Sequence, residues 1–169
     1  MTELLRPTRG GFLRPIGCGQ FIKEFLLGNG PFGSPKINPD IGAPKTDICF
    51  QYKTALLKAT AMDRATRHEE KLAKRQKRTI NPENIERLFE RYLARLPYKT
   101  TSCRFQSFNV YFSNPQRLGW VEFTGREESS TFQDHYLPGP PRRYYRLTEA
   151  GRKASDDEWA NPQRALYGY

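Results

Sequence analysis

Apolar positions along the chain fall first into runs of helical spacing and then into two short alternating runs. Residues 1–45 are punctuated by glycine and proline. They leave room for one short helix, Gln20 to Leu27, with Phe21, Ile22, Phe25 and Leu26 on a common face. The stretch from Asn29 to Lys45 is expected to run as an extended strap, because each proline lacks a donor and biases its predecessor away from helix. Thr46 and Asp47 offer caps for a second helix, with Ile48, Tyr52, Ala55, Leu56, Ala59 and Met62 along one stripe. That helix is expected to pass Arg67, where the stripe fades and the surface becomes polar all round. A third helix has Asn81 as cap and Pro82 in its first position, with Ile85, Leu88, Phe89, Tyr92, Leu93 and Leu96 on one face and Pro97 as its stop. A fourth, capped between Lys99 and Ser102, directs Phe105, Phe108 and Phe112 to a core and ends at Gly119. Trp120 to Phe123 and Arg143 to Leu147 alternate as strands, with a polar, proline-rich loop between them. A last helix starts at Thr148 and stops at Asn161-Pro162.

The order of these elements predicts a mostly α fold with a small β-hairpin (α+β). Helix, short turn, helix, strand, loop and strand follow one another as in a winged helix-turn-helix. Four segments are expected: a Gly/Pro-rich arm over 1–45, a long basic helix over 46–79, the winged-helix domain over 80–155 and a C-terminal arm over 156–169.

Charge narrows the choice of partner. The 28 Lys and Arg outnumber 18 Asp and Glu, giving +10 at neutral pH. Such an excess opposes close self-packing unless a polyanion neutralises it, and nucleic acid is the commonest polyanion. No apolar span or strongly apolar amphipathic helix accompanies the cations, so a membrane partner is not expected. Leu4-Leu5 runs at once into Arg6-Pro7, unlike a secretory leader, and the reading is cytoplasmic, or nucleoid-associated in a bacterium or archaeon. Cys18, Cys49 and Cys103 stand apart with no CxxC pair, and His68 and His135 lack partners at ligand spacing, so no metal and no cofactor are expected. The GxGxxG spacing of Gly28, Gly30 and Gly33 follows a helical pattern, and Pro31 and Pro35 forbid the helix that would receive a phosphate. No arrangement suggests an enzyme.

The stretch Arg117-Leu118-Gly119-Trp120-Val121-Glu122, followed by Arg142-Arg143-Tyr144-Tyr145-Arg146-Leu147-Thr148-Glu149-Ala150-Gly151-Arg152, resembles the wing of PadR-like and MarR-like transcriptional regulators. The resemblance covers roughly residues 80–155 and departs from the families in three ways. Pro115 should kink or break the fourth helix, the loop from Thr124 to Pro141 is longer than their usual wing, and residues 1–79 match nothing in them. The resemblance implies that Thr101, Ser102, Arg104, Gln106, Ser107 and Asn109 face a DNA major groove. Arg104 would then suit guanine, and Gln106 or Asn109 adenine. Arg126, Arg142, Arg143 and Arg146 lie on the arms of the hairpin, where they either touch phosphates or the minor groove or else pair with Glu127 and Glu128. Alternation sets Tyr145 and Leu147 toward the core. Lys71, Lys74, Arg75, Lys77 and Arg78 form a basic helix end suited to a phosphate backbone.

Duplex DNA is thus the expected partner, for a transcription regulator or a DNA-maintenance factor. The alternative is a structural or assembly subunit of a larger, possibly nucleoprotein, complex. In that case the winged helix and the strap would serve protein or RNA contact, with self-association or a protein partner through the N-terminal region.

Overall fold

The computed structural model describes residues 6–7, 13–96, 105–128 and 141–168. Along the chain lie β1 (Arg6–Pro7), β2 (Leu13–Arg14), α1 (Cys18–Leu26), a 3-10 turn at Pro31–Gly33, β3 (Ala43–Pro44), α2 (Lys45–Gln76), α3 (Pro82–Arg95) and α4 (Phe105–Arg117). There follow β4 (Val121–Glu128), β5 (Arg142–Leu147) and three short helices, α5 (Glu149–Lys153), α6 (Asp156–Ala160) and α7 (Pro162–Tyr167). The fold is mostly helical with a small three-stranded antiparallel sheet, in line with the expected class.

Two compact units divide the chain, one of residues 16–52 with 103–169 and the other of residues 1–15 with 53–102. This division cuts across the expected 80–155 domain: α3 belongs to the unit that lacks the β4–β5 hairpin. Helical spacing shows that α3 has an apolar face but not what covers it, and its side chains Asn84 and Tyr92 are hydrogen-bonded to Glu69 and His68 of α2.

In the first unit the sheet order is β3–β5–β4. Val121, Glu122 and Phe123 lie opposite Leu147, Arg146 and Tyr145, the pairing that the alternation predicts. The register then shifts between Phe123 and Glu127, where Gly125 takes φ +89°, and β4 continues to Glu128 opposite Arg142. The loop expected from Thr124 therefore begins later, because a glycine bulge restores pairing that a continuous alternation count loses. The third strand, β3, is the end of the expected strap, and Ala43 pairs with Tyr145.

The core of this unit draws on α1 (Phe21, Ile22, Phe25, Leu26), the start of α2 (Ile48, Tyr52), α4 (Phe108, Phe112) and the inward strand residues Val121, Tyr145 and Leu147. The Phe21 and Tyr52 rings lie 5.2 Å apart, and those of Phe112 and Tyr145 5.3 Å apart. Phe105 departs from expectation and is 43% exposed, being the first residue of its helix and at the edge of the apolar face. Pro115 does not break α4. It is buried two residues before the end, so its missing donor costs a bond only in the final turn. Trp120 N then donates to Pro115 O and Gly119 N to Gln116 O, with Gly119 at φ +74°, a Schellman closure that explains the Gly in the Leu-Gly-Trp motif.

The C-terminus is not an arm. Asn161, expected to stop a helix, instead caps α7 through a bond from Arg164 N to its Oδ1, with Pro162 in the first position. Trp159 is fully buried, its ring 4.8 Å from that of Trp120 and its indole N–H donating to Gly151 O at 2.9 Å. Lys23 Nζ reaches Ala154 O at 2.9 Å and Asp156 at 3.0 Å, tying α1 to this end.

In the second unit, α2 from Lys53 onward and α3 are joined by a tight turn, and α3 begins with Asn81 Oδ1 accepting from Glu83 N at 3.0 Å, as its cap residue predicts. The α2 stripe does not simply fade. Ala61, Ala65, Glu69 and Ala73 are buried at four-residue spacing, whereas Met62 is 43% exposed. Alanines register weakly as a hydrophobic pattern, and a glutamate reads as polar, so the buried face is invisible to a count of large apolar residues. His68 Nδ1 and the Tyr92 hydroxyl are hydrogen-bonded at 3.0 Å.

Glu69 organises the turn. Its carboxylate accepts from Arg78 Nη2 at 2.7 Å and Nη1 at 3.0 Å, from Asn81 N at 3.1 Å and from Asn84 Nδ2 at 3.4 Å. Between them Lys77 occupies a left-handed position, φ +52°, that favours glycine. The Arg78 hydrogen bonds outweigh burial and hold the Glu69 carboxyl at about 2, from an ordinary 4.5. A depressed folded-state value means that this contribution to stability is whole above about 4.5 and is lost as pH falls toward about 2. Glu69→Gln should therefore melt lower than wild type at pH 7 and show a flatter melting profile between pH 5 and 2. Parallel acid profiles for the two proteins would contradict this assignment.

Candidate nucleic-acid interface

With Phe108 and Phe112 turned inward, the opposite face of α4 presents Gln106, Asn109, Val110, Ser113 and Arg117 at spacings of three, four, seven and eleven. Gln106 and Asn109 are thus exposed together. Ser107 is also exposed but lies about a quarter turn away, off this face. Thr101, Ser102 and Arg104 lie outside the described residues. Val110, Ser113 and Arg117 were legible as the continuation of the Gln106 row, though no single one carries a distinctive signal. Asn109 is not wholly available, since its Oδ1 accepts from Lys45 Nζ at 3.1 Å. The Lys45 ammonium sits over the rings of Phe112 at 5.2 Å and Tyr145 at 5.1 Å. Its pKa is lowered, first by burial and then by the Arg143 charge. Lys45, Asn109, Phe105, Arg142 and Arg143 border a groove of about 390 Å³.

Every expected wing arginine has an acidic partner. Sheet register sets Glu122 opposite Arg146 and Glu127 opposite Arg143, and the pairs close at 2.9 and 3.2 Å. Arg126 reaches Glu128 at 3.2 Å, and Arg142 is bonded to Asp47 at the start of α2. The Tyr144 hydroxyl also donates to Glu128 at 2.6 Å, which lowers the Glu128 pKa and raises that of Tyr144. Of the two readings open at these positions, pairing with carboxylates is what the geometry displays. Exposed pairs of this kind are worth at most about 1 kcal/mol, so they compensate charge without fixing it.

The basic helix end differs. Lys71, Lys74, Arg75 and Lys77 are exposed, and no carboxylate among the described residues forms an ion pair with them. Arg78 is committed to Glu69 and is a turn-forming residue rather than a surface contact. Charge is correspondingly uneven. Residues 53–102 hold 13 Lys and Arg against six Asp and Glu, and residues 1–15 hold three against one. The unit of residues 16–52 and 103–169 holds 12 against 11, so nine of the ten surplus positive charges lie in the other one.

Among the described residues no group of three or more His, Cys, Asp or Glu side chains is placed to hold a metal ion, and no helix is long and apolar enough to cross a membrane. His135 and Asp134 lie outside the described residues. Set against protein-family models, curated proteins and solved structures, the chain matches none.

Proposed function

We propose that residues 16–52 and 103–169 form a winged helix-turn-helix that binds duplex DNA, interrupted between its two central helices by the helical pair of residues 53–102. The order α1, β3, α2, α4, β4, β5 around a β3–β5–β4 sheet supports this reading. On it α4 is the groove-entering helix, the start of α2 its companion, and β4–β5 the wing.

The observation that carries the reading is α4 itself. It stands beside the hairpin with its apolar side committed to the core and a largely polar row on its outer face, Gln106, Asn109 and Arg117 exposed and Ser113 half-buried. Asn and Gln amides match the paired donor and acceptor of adenine in the major groove, where each such pair discriminates by about 1–3 kcal/mol. Lys45 holds the Asn109 amide oriented until a base edge competes for it. The function proposed is a sequence-selective regulator or DNA-maintenance factor.

The experiment is a binding-site selection with the full chain, followed by Asn109→Ala. The variant should lose about 5- to 150-fold in affinity at one base position and leave discrimination elsewhere intact. A selection without consensus, or a loss spread evenly over all sequences, would exclude base reading by α4. A second reading, an assembly subunit that uses this helix for protein contact, is favoured by Val110, 71% exposed on the same face, and by Phe105. It predicts no DNA consensus at all.

A further inference from the structure

We infer that the phosphodiester backbone of the nucleic acid is held by the helical pair of residues 53–102, along the exposed row Arg64, Lys71, Lys74 and Arg75 of α2, and not by the wing. This rests on the nucleic-acid-binding reading above and assigns its electrostatic part to a unit distinct from the one that reads bases.

The argument begins from the uneven distribution of charge. A wing that grips phosphate needs surplus cations, yet the unit containing it is close to neutral and its four arginines face carboxylates set opposite or beside them by sheet register and by α2. The surplus lies almost entirely elsewhere, and within residues 53–102 it is organised. Arg64, Lys71 and Arg75 are spaced seven and four apart, so they fall within about 40° of one another around the helix, with Lys74 alongside. The buried residues Ala65, Glu69 and Ala73 lie about 80° or more away around the helix, with Ala61 at the border between the two rows. All four cations are exposed, and none forms an ion pair with an acid among the described residues. The acids beside the row are Asp63, which is engaged by Arg67 at 3.2 Å, and Glu70.

Such a row is unfavourable in isolation. Like charges three and four residues apart oppose the helix that carries them. Here the opposing face offers mostly alanines in compensation. A polyanion with regular charge spacing relieves the repulsion. The row spans about 16 Å along the helix axis, the length over which one DNA strand presents about five phosphates. α3 does not add to the surplus, since Arg87, Arg91 and Arg95 are matched in number by Glu83, Glu86 and Glu90 on the same helix. Glu69 and Arg78 fix the turn between the two helices without contributing to the row, since their charges cancel.

The test uses the full chain and a fluorescent duplex, with affinity measured across a series of salt concentrations. Lys71→Gln/Lys74→Gln/Arg75→Gln alters only exposed side chains, and its fold is checked by its melting curve. It should bind at least about tenfold more weakly at 0.1 M salt, and the slope of log K against log salt should shrink by about 2 to 3, since each phosphate contact contributes about 0.9. Arg126→Gln/Arg143→Gln/Arg146→Gln should change the slope by less than about 1. The opposite pattern, slope lost with the wing and kept with the α2 triple variant, would overturn the assignment, as would equal losses in both. Retention on heparin separates this proposal from the DNA reading. If wild type ignores duplex DNA yet the α2 triple variant alone elutes earlier from heparin, the polyanion surface stands and the DNA reading fails. If neither triple variant changes DNA or heparin binding, the surface assignment fails by itself.

Discussion

Trp159→Ala is expected to cost about 3–5 kcal/mol, the range for removing a large buried aromatic ring. The indole, on α6, is fully buried, stacked at a tilt on Trp120, and its N–H satisfies the Gly151 carbonyl of α5. Its own carbonyl accepts from the Tyr111 hydroxyl at 3.0 Å, so backbone and side chain of one residue bind α6 to α4 and to Trp120, just before β4. The approach is close on the α1 side as well: a Cβ added at Gly19 would stand 1.9 Å from the Trp159 carbonyl oxygen. Truncation leaves a cavity and an unpaired buried acceptor together. Urea denaturation followed by circular dichroism measures the loss. Trp159→Phe, which keeps most of the ring volume but not the donor, should lose less, of the order of 1–3 kcal/mol for the unmet carbonyl. A change below about 1 kcal/mol for the alanine variant would mean that residues 149–168 are dispensable to the fold.

Gly42→Ala is the second substitution expected to be severe. Gly42 sits at φ +75°, where a side chain costs about 1–2 kcal/mol, and its added Cβ would fall 2.0 Å from the carbonyl oxygen of Tyr145. That contact is with backbone in the middle of the sheet, so no rotamer change relieves it, and forcing an atom into packed structure adds about 1–3 kcal/mol. The damage should be local to β3, the strand that follows Gly42 and pairs with β5. Amide hydrogen exchange should accelerate at Ala43 and Tyr145 well before it does at Val121. Uniform acceleration throughout the sheet, or none, would show that β3 is not held in place by this close approach.

Much of the molecule is legible in the sequence where large apolar residues repeat. The α1 face, the caps of α3, the Phe108–Phe112 side of α4 and the pairing of Trp120 to Phe123 with Arg143 to Leu147 all follow from periodicity and terminus chemistry. What escaped has common physical causes. Spacing shows that a helix has a face but not its partner, so from sequence α3 reads as part of the unit of the strands. Ala61, Ala65 and Ala73 bury little apolar area each, so the second half of α2 reads as polar although one side is packed. Glu69 is buried only because Arg78, Asn81 and Asn84 converge on it in three dimensions. Asn161-Pro162 is both a stop for one helix and a start for the next, and sequence alone does not choose between them. The candidate interface divides in the same manner. Gln106 and Asn109 follow from helix phase, whereas the pairing of the wing arginines depends on register across the bulge at Gly125.

The central position of β5 dictates how the chain is assembled as it is synthesised. Ala43 must wait for Tyr145, about a hundred residues later, before it has a neighbour in the sheet. The α2–α3 hairpin joins neighbouring segments and can form while the remainder is still inside the ribosome. Until residues 142–147 emerge, β3 presents an unsatisfied edge and the aromatic side chains of α1 have no finished core to enter. The short edge strand and the prolines around it, Pro39 and Pro44, limit what that edge can capture in the interval. A fragment cut at residue 80 would remove α1, β3 and all of α2 at once, leaving the β4–β5 hairpin without the elements on which it is laid down.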